Sequence, residues 1–106
     1  MRKIEEKMLW AVRSRRNMQE GNTQVVICSG AKNGGVMVNV FLHGNHIYTL
    51  YALNGTVSES FTLAGWNTPT TRSRLRALGI DVSQRNWEAY YNGQAISSRE
   101  WYDVVR

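Results

Sequence analysis

Two histidines and the acidic residues of the C-terminal part are the side chains of this sequence first considered for catalysis or metal binding. His43 and His46 lie three positions apart in a short connection, where two imidazoles can bind one metal ion or act as acid and base. No third ligand is spaced to complete a metal site. The acidic residues are scattered rather than paired on one element: Asp81, Glu88, Glu100 and Asp103. We therefore predict a protein that is not an enzyme and that needs neither a metal nor another cofactor.

Phosphate loops and reactive thiols are not indicated either. Gly34-Gly35 leads into a strand, whereas a phosphate loop opens a helix after a strand. Cys28, the one cysteine, follows the apolar residues 25–27, so we expect its thiol to be buried in the core. No apolar stretch approaches the roughly 20 residues that span a bilayer, so no membrane partner is expected.

Charge gives the first indication of a binding function. The chain of 106 residues has 13 Lys plus Arg and 8 Asp plus Glu, a formal net charge of +5, and ten of the 13 cations are arginine. Arginine recognises phosphates and carboxylates through paired hydrogen bonds and stacks on aromatic faces. The candidate residues for binding protein or nucleic acid are two arginine groups and two tyrosines: Arg13, Arg15, Arg16, Arg72, Arg76, Tyr48 and Tyr90.

The elements that must position these residues begin with an amphipathic helix predicted over residues 2–20. Its apolar face follows the three- and four-residue spacing of a helix: Ile4, Met8, Ala11 and Val12. The first arginine group then stands near the negative end of the helix dipole, which also fits a purely structural role. Gly21-Asn22 is expected to end the helix.

Beyond this helix the hydrophobic period changes to two, which is typical of strands. Four antiparallel strands are predicted: residues 23–29, 36–42, 47–53 and 56–64. A flexible turn is expected at residues 31–35 and a type I′ turn at Asn54-Gly55. In the last strand the alternation places Glu59 on the core face, for which the sequence offers no explanation.

A second helix is predicted to begin with Thr68 or Thr70 as its N-cap and to end at Gly79. Pro69 fits the first helical position, because its missing N–H would have no intrahelical partner there. The chain around this helix start is the most distinctive part of the sequence.

The three arginines of this helix divide between two faces. Arg72 and Arg76 share one face, whereas Arg74 points away from them and can brace the sheet edge or the ring of Trp66. We assign four residues to a structural motif: Trp66, Thr68, Thr70 and Arg74.

The last segment holds five aromatic residues around a second Asn-Gly turn: Trp87, Tyr90, Tyr91, Trp101 and Tyr102. A hairpin is predicted over residues 86–96, with the turn at Asn92-Gly93. We expect Trp87 and Trp101 to lie in the core and Tyr90 at the surface.

These elements together predict one α+β domain over residues 1–106. It consists of an N-terminal helix, a four-stranded antiparallel meander, a second short helix and a C-terminal β-hairpin. Ser97 and Glu100 match a capping box that can start a final helical turn.

Three blocks of the sequence carry a resemblance to a known group. Residues 65–78 read Gly-Trp-Asn-Thr-Pro-Thr-Thr-Arg-Ser-Arg-Leu-Arg-Ala-Leu, and further blocks lie at residues 21–23 with 42–47 and at residues 84–101. Together they resemble a family of small proteins encoded by tailed bacteriophages. The resemblance implies a phage origin and a location in the cytoplasm of the infected bacterial host, and it implies no activity.

Three hypotheses about function follow. The favoured one is a small phage accessory protein that binds and modulates a host bacterial protein, with the aromatics and arginines as anchors. A nucleic-acid-binding domain is the alternative, and it needs both arginine groups on one side of the fold with Tyr48 or Tyr90 stacked on bases. An enzyme would need His43, His46 and a carboxylate to converge in a cleft. The oligomeric state is left open.

Overall fold

The computed structural model describes residues 1–29 and 34–106 and contains two helices and nine strands in that part of the chain. In chain order these are α1 Lys3–Ser14, β1 Met18–Glu20, β2 Thr23–Cys28, β3 Val36–Leu42, β4 Asn45–Leu53, β5 Thr56–Phe61, α2 Pro69–Ala77, β6 Val82–Arg85, β7 Glu88–Tyr91, β8 Gln94–Ile96 and β9 Tyr102–Asp103. The predicted α+β class with its antiparallel meander is confirmed. Neither helix of the described part is long and apolar enough to cross a membrane.

The main sheet has six antiparallel strands in the order β1-β2-β3-β4-β5-β9. Strands β2 to β5 form the predicted meander, and the turn at Asn54-Gly55 has the positive φ angles of 50° and 80° that a type I′ turn requires. His43 and Gly44 also have positive φ angles, and they form the turn that joins β3 to β4. The turn predicted at residues 31–35 lies largely outside the described residues.

A β-bulge in β4 changes which residues face the core. Val40 pairs with Tyr48, but Phe41 pairs with His46, so Ile47 is the extra residue on its strand. As a result Ile47 and Tyr48 are both buried, with 1% of each residue exposed. The bulge therefore places Tyr48 in the core rather than on the surface where the sequence placed it.

The first helix is shorter than predicted. It ends at Arg15, which takes the left-handed conformation with φ 56°, and the N–H of Arg16 donates to the Ala11 carbonyl at 2.9 Å. The predicted helix over residues 2–20 is therefore wrong in its last third. Residues of β1 instead pair with β2 through a two-residue turn at Gly21-Asn22, because cross-strand pairing with a buried strand outweighs local helix preference.

A second, three-stranded sheet follows α2, in the order β6-β7-β8. The hairpin of β7 and β8 with its turn at Asn92-Gly93 is confirmed. The sequence did not reveal β6, which pairs with β7 through a two-residue turn at Asn86-Trp87. The final helical turn is not formed, because the chain after Ser97 makes turns and then enters β9.

The core lies between the inner face of the main sheet, the two helices and the small sheet. Its side chains with at most 1% exposure come from all of these elements: Met8, Val38, Phe61, Leu75 and Val82. Cys28 was expected among them but is exposed, because it alternates with buried residues on β2 and faces outward. Glu59 does face inward, where it accepts hydrogen bonds from Tyr48 and Arg106.

Candidate binding surface

Arg74 is buried and ties α2 to α1 and β2. Its Nη1 donates to Glu5 Oε2 at 2.7 Å and its Nε donates to Thr23 Oγ1 at 3.0 Å. Ser73 Oγ donates to the same Glu5 carboxylate. Burial by itself raises the pKa of Glu5, but the hydrogen bonds from Ser73 and Arg74 outweigh it, so the pKa lies below its usual value. Arg74 therefore has the structural role that the sequence suggested, with a different partner.

Arg72 and Arg76 are turned toward the small sheet. Arg72 is 9% exposed, and its Nη1 donates to Asn67 Oδ1 at 2.6 Å and to Gln84 Oε1 at 3.0 Å. Burial and the neighbouring charge of Arg76 lower the pKa of Arg72. Arg76 Nη1 donates to the Val82 carbonyl at 3.1 Å. Arg72 was predicted as a binding residue, but its hydrogen bonds and its burial make it part of the packing between α2 and β6.

The two arginine groups make their contacts in different parts of the fold. Arg13 and Arg15 are exposed and line a cleft with the C-terminal end of α2. Arg16 is exposed just beyond α1. Arg72 and Arg76 bond instead to residues of β6.

The two tyrosines predicted to bind differ in exposure. Tyr48 donates its hydroxyl to Glu59 Oε1 at 2.5 Å, and burial, reinforced by Glu59, raises the pKa of Tyr48. It has no exposed face on which a base can stack. Tyr90 is half-buried, and its hydroxyl lies 3.4 Å from Glu88 Oε2.

The N-terminal end of α2 borders a cleft of about 440 Å³, which we call the threonine cleft. Thr68 is the N-cap, since its Oγ1 accepts from the Thr71 N–H at 3.2 Å, and Pro69 occupies the first turn as predicted. The cleft is lined by Leu42, His43, Asn45, Ile47, Leu63, Trp66, Thr68, Thr70 and Thr71. Its floor is apolar and its rim carries neutral polar groups.

All four tryptophans of the chain are exposed: Trp10 by 56%, Trp66 by 57%, Trp87 by 87% and Trp101 by 45%. The prediction that Trp87 and Trp101 lie in the core is therefore wrong. Trp87 occupies a turn that projects from the small sheet, and Trp101 packs edge-on against His46 with ring centroids 4.8 Å apart. Tryptophan is highly buried on average in soluble proteins, so four exposed rings are unusual.

Trp87 is also held in an unfavourable backbone conformation. Its φ is 68°, and it follows Asn86 with φ 49°, as in a type I′ turn whose second position is normally glycine. In the sequence this turn is marked only by Asn86-Trp87 between two four-residue strands. It was not predicted because its second position is not glycine. A large residue with positive φ stores about 1–3 kcal/mol of strain, and such residues cluster at functional positions.

Trp66, Trp87 and Trp101 are linked through contacts of their neighbouring residues, and we call them the tryptophan surface. Asn67, next to Trp66, donates its Nδ2 to the Trp87 carbonyl at 3.4 Å. Trp101 contacts His46, whose neighbour Asn45 lines the threonine cleft together with Trp66. A second cleft, of about 390 Å³, lies beside Trp87. The tryptophan surface therefore combines exposed rings with two concave regions.

The two histidines make separate contacts in the fold. His46 stacks on Phe41 with ring centroids 4.9 Å apart, and burial lowers the pKa of His46. His43 Nε2 lies 3.4 Å from Asn22 Nδ2. Within the described ranges, no three residues among histidine, cysteine and the acidic residues are grouped to hold a metal ion.

The fold and this surface define a small α+β protein with two antiparallel sheets and exposed tryptophan rings. Its sequence matches the Kyanoviridae Gp96 protein family over residues 1–106. The chain belongs to this protein family, which tailed cyanophages encode, and the predicted resemblance to small phage proteins is confirmed. No curated protein and no solved structure is significantly similar to it.

Proposed function

We propose that this phage protein binds a host bacterial protein in the host cytoplasm and modulates its activity, with the tryptophan surface as the contact. The observation that carries the proposal is Trp87, which is 87% exposed and has a φ of 68°. A residue that is both strained and exposed contributes little to folding. A partner that covers the ring gives such a residue a role in binding.

Exposed tryptophans favour a protein partner for a physical reason. A tryptophan ring buries 150–250 Å² when a partner covers it, and tryptophan is among the residues that dominate interface energies. The threonine cleft beside Trp66 offers an apolar floor into which a partner side chain can insert. Rings that project next to concave regions suit the interlocking surfaces of two proteins.

The charges that line the two clefts beside the tryptophans favour a protein partner over nucleic acid. Neither cleft that the tryptophans border is lined by an arginine or a lysine, and the cleft beside Trp87 is lined by Glu88. Phosphates of a bound strand would therefore meet no cation within these clefts, although phosphate contacts supply most of the affinity of nucleic-acid-binding proteins.

The test is a comparison of three tagged baits in a lysate of the cyanobacterial host. The baits are the wild type, Trp87→Gly, which removes the ring and suits the backbone, and Trp10→Ala, which removes an exposed ring of α1. The lysate is split into nuclease-treated and untreated halves, the washes are repeated at low and moderate salt, and retained proteins and nucleic acids are identified. Circular dichroism establishes that each bait is folded.

We expect one host protein to be retained by the wild type and by Trp10→Ala and to be lost from Trp87→Gly. With the purified partner, Trp87→Gly is expected to lower affinity at least about 30-fold, as for an interface hot spot of about 2 kcal/mol. Equal retention by all three baits would contradict the proposed surface. If the wild type retains only nucleic acid, and nuclease or salt removes it, the proposal of a protein partner is contradicted and a nucleic-acid partner takes its place.

A further inference from the structure

A third cleft, which none of the four tryptophans lines, gathers three arginines. Arg13 and Arg15 from the end of α1 line it together with Arg106, and its volume is about 320 Å³. Leu9, Val12, Leu50 and Leu78 supply an apolar floor. We call it the arginine cleft. Two distant parts of the chain thus bring guanidinium groups to the same concave region.

The carboxylate of this cleft neutralises only one of its three arginines. Glu59 accepts from Arg106 Nε and Nη2, each at 2.7 Å, and from the Tyr48 hydroxyl. The hydrogen bonds from Arg106 lower the pKa of Glu59 despite its burial, so it is ionised at neutral pH. Among the described residues, neither Arg13 nor Arg15 forms a salt bridge. The cleft therefore retains an excess of two positive charges.

The ends of the two helices explain part of this arrangement. Arg15 Nη1 donates to the Val12 carbonyl at 2.7 Å, and Arg106 Nη2 donates to the Leu78 carbonyl at 2.8 Å. Cations at helix C-termini are stabilising, and a lysine would serve equally well. This role uses one donor group of Arg15 and one of Arg106, and Arg13 lies in the last turn of α1, where its charge is stabilising for the same reason. A guanidinium carries five N–H donors, so most of the donors in the cleft remain for a ligand.

Gly79 shows that the fold makes room for Arg106. Its φ is 84°, and a Cβ at this position would stand 2.7 Å from Arg106 Nη1. Glycine thus permits both the turn after α2 and the close approach of the guanidinium. Because Glu59 and the Leu78 carbonyl hold the same guanidinium, Arg106 is fixed in place before any ligand arrives.

We propose that the arginine cleft binds a phosphate group. Guanidinium groups match phosphate oxygens with paired hydrogen bonds, and a tetrahedral phosphate can accept from several of them at once. The apolar floor suits the uncharged body of a ligand that bears the phosphate. This site is separate from the tryptophan surface, so its test does not depend on capture of a host protein.

The experiment measures binding of three probes to the purified protein: inorganic pyrophosphate, ATP and a short single-stranded DNA. Calorimetry serves for the first two and fluorescence anisotropy for the labelled DNA. Arg13→Gln/Arg15→Gln is compared with Arg85→Gln/Arg99→Gln. Both pairs are exposed and both variants lose two charges, so general attraction to anions falls equally.

We expect Arg13→Gln/Arg15→Gln to weaken binding of at least one probe by about tenfold or more, and the control to weaken it less than about twofold. Binding of pyrophosphate or ATP identifies a small phosphorylated ligand. Binding of DNA alone, with a steep salt dependence, identifies a nucleic-acid backbone as the source of the phosphate. Equal losses in the two variants, or no binding by the wild type, overturn the proposal.

Discussion

Two regions of the molecule differ in which side chains they bury. The helix–helix contact buries charged side chains, whereas the tryptophan surface exposes apolar rings. Between the helices, the charged pair Arg74 and Glu5 is almost fully buried, with side chains 3% and 4% exposed. At the tryptophan surface, the large apolar ring of Trp87 is 87% exposed. The sequence run over residues 65–78 contributes to both regions. Residue type alone misassigned Trp87 to the core, whereas helix spacing separated Arg74 from the arginines proposed to bind a partner.

The physical difference lies in what each region lets a side chain reach. Arg74 lies on the side of α2 that packs on α1, where the Glu5 carboxylate and the Thr23 hydroxyl compensate its burial. Trp87 lies in a two-residue turn, where the chain reverses away from the body of the small sheet. Whether a side chain is buried depends first on where its helix, strand or turn lies in the fold. Hydrophobicity determines burial only for side chains that can reach the core.

The largest effect is expected from Arg74→Ala. It leaves the Glu5 carboxylate buried without its cation, which costs about 3–5 kcal/mol of stability. Urea unfolding of wild type and variant measures the difference. The double variant Glu5→Ala/Arg74→Ala is expected to be more stable than Arg74→Ala, since no charge is left unpaired. A cost below about 1 kcal/mol for the single variant would mean that the region is not a buried ion pair in solution.

Acid should weaken the same region. The pKa of Glu5 is lower in the folded protein than its usual 4.5, so this carboxylate stabilises the fold at pH values above 4.5. That contribution is lost as the pH falls through the lower, folded pKa. Glu59 has a lowered pKa for the same kind of reason and acts in the same direction. Urea unfolding between pH 7 and acidic pH measures the loss, which should be much smaller in Glu5→Gln/Arg74→Met; an equal acid dependence there would implicate other groups.

A smaller effect is expected at the start of α2. Thr68→Ala removes the oxygen that accepts from the Thr71 N–H and should cost about 1 kcal/mol of stability. Thr70→Ala is the matched control, because Thr70 is a threonine of the same turn that does not cap the helix. Thermal unfolding compares the two. Equal losses would show that the cap is not the source of the effect.

Trp87→Gly, at the tryptophan surface, is expected to raise stability, whereas the substitutions at the helices lower it. Glycine accepts a φ of 68° without strain, so this variant should be more stable than the wild type by about 1 kcal/mol or less, although it loses the partner. Urea unfolding measures the gain, and Trp10→Ala, which relieves no backbone strain, serves as control. A clear loss of stability in Trp87→Gly would mean that the ring contributes to the fold rather than to a partner.

Periodic and turn signals predicted much of the fold. The meander follows from period-two alternation, and the turns at Asn54-Gly55 and Asn92-Gly93 follow from residues that adopt positive φ at little cost. The cap at Thr68 follows from local hydrogen bonding. The short strands β1 and β6 were missed because each depends on a neighbouring strand. The candidate site was predicted less well, since Tyr48 and Arg72 proved to be buried.

The sequence by itself determined the phage family, the α+β class, the antiparallel meander and the limits of α2, because each depends on residue type and local spacing. Only the tertiary structure decided the roles of Arg74, Glu59 and Trp87, because these depend on which distant groups lie within a few ångströms. A bulge in β4 turns Tyr48 inward to Glu59, and a turn without glycine turns Trp87 outward. Long-range strand pairing determines both the bulge and this turn. The periodicity of a single sequence carries no information about that pairing.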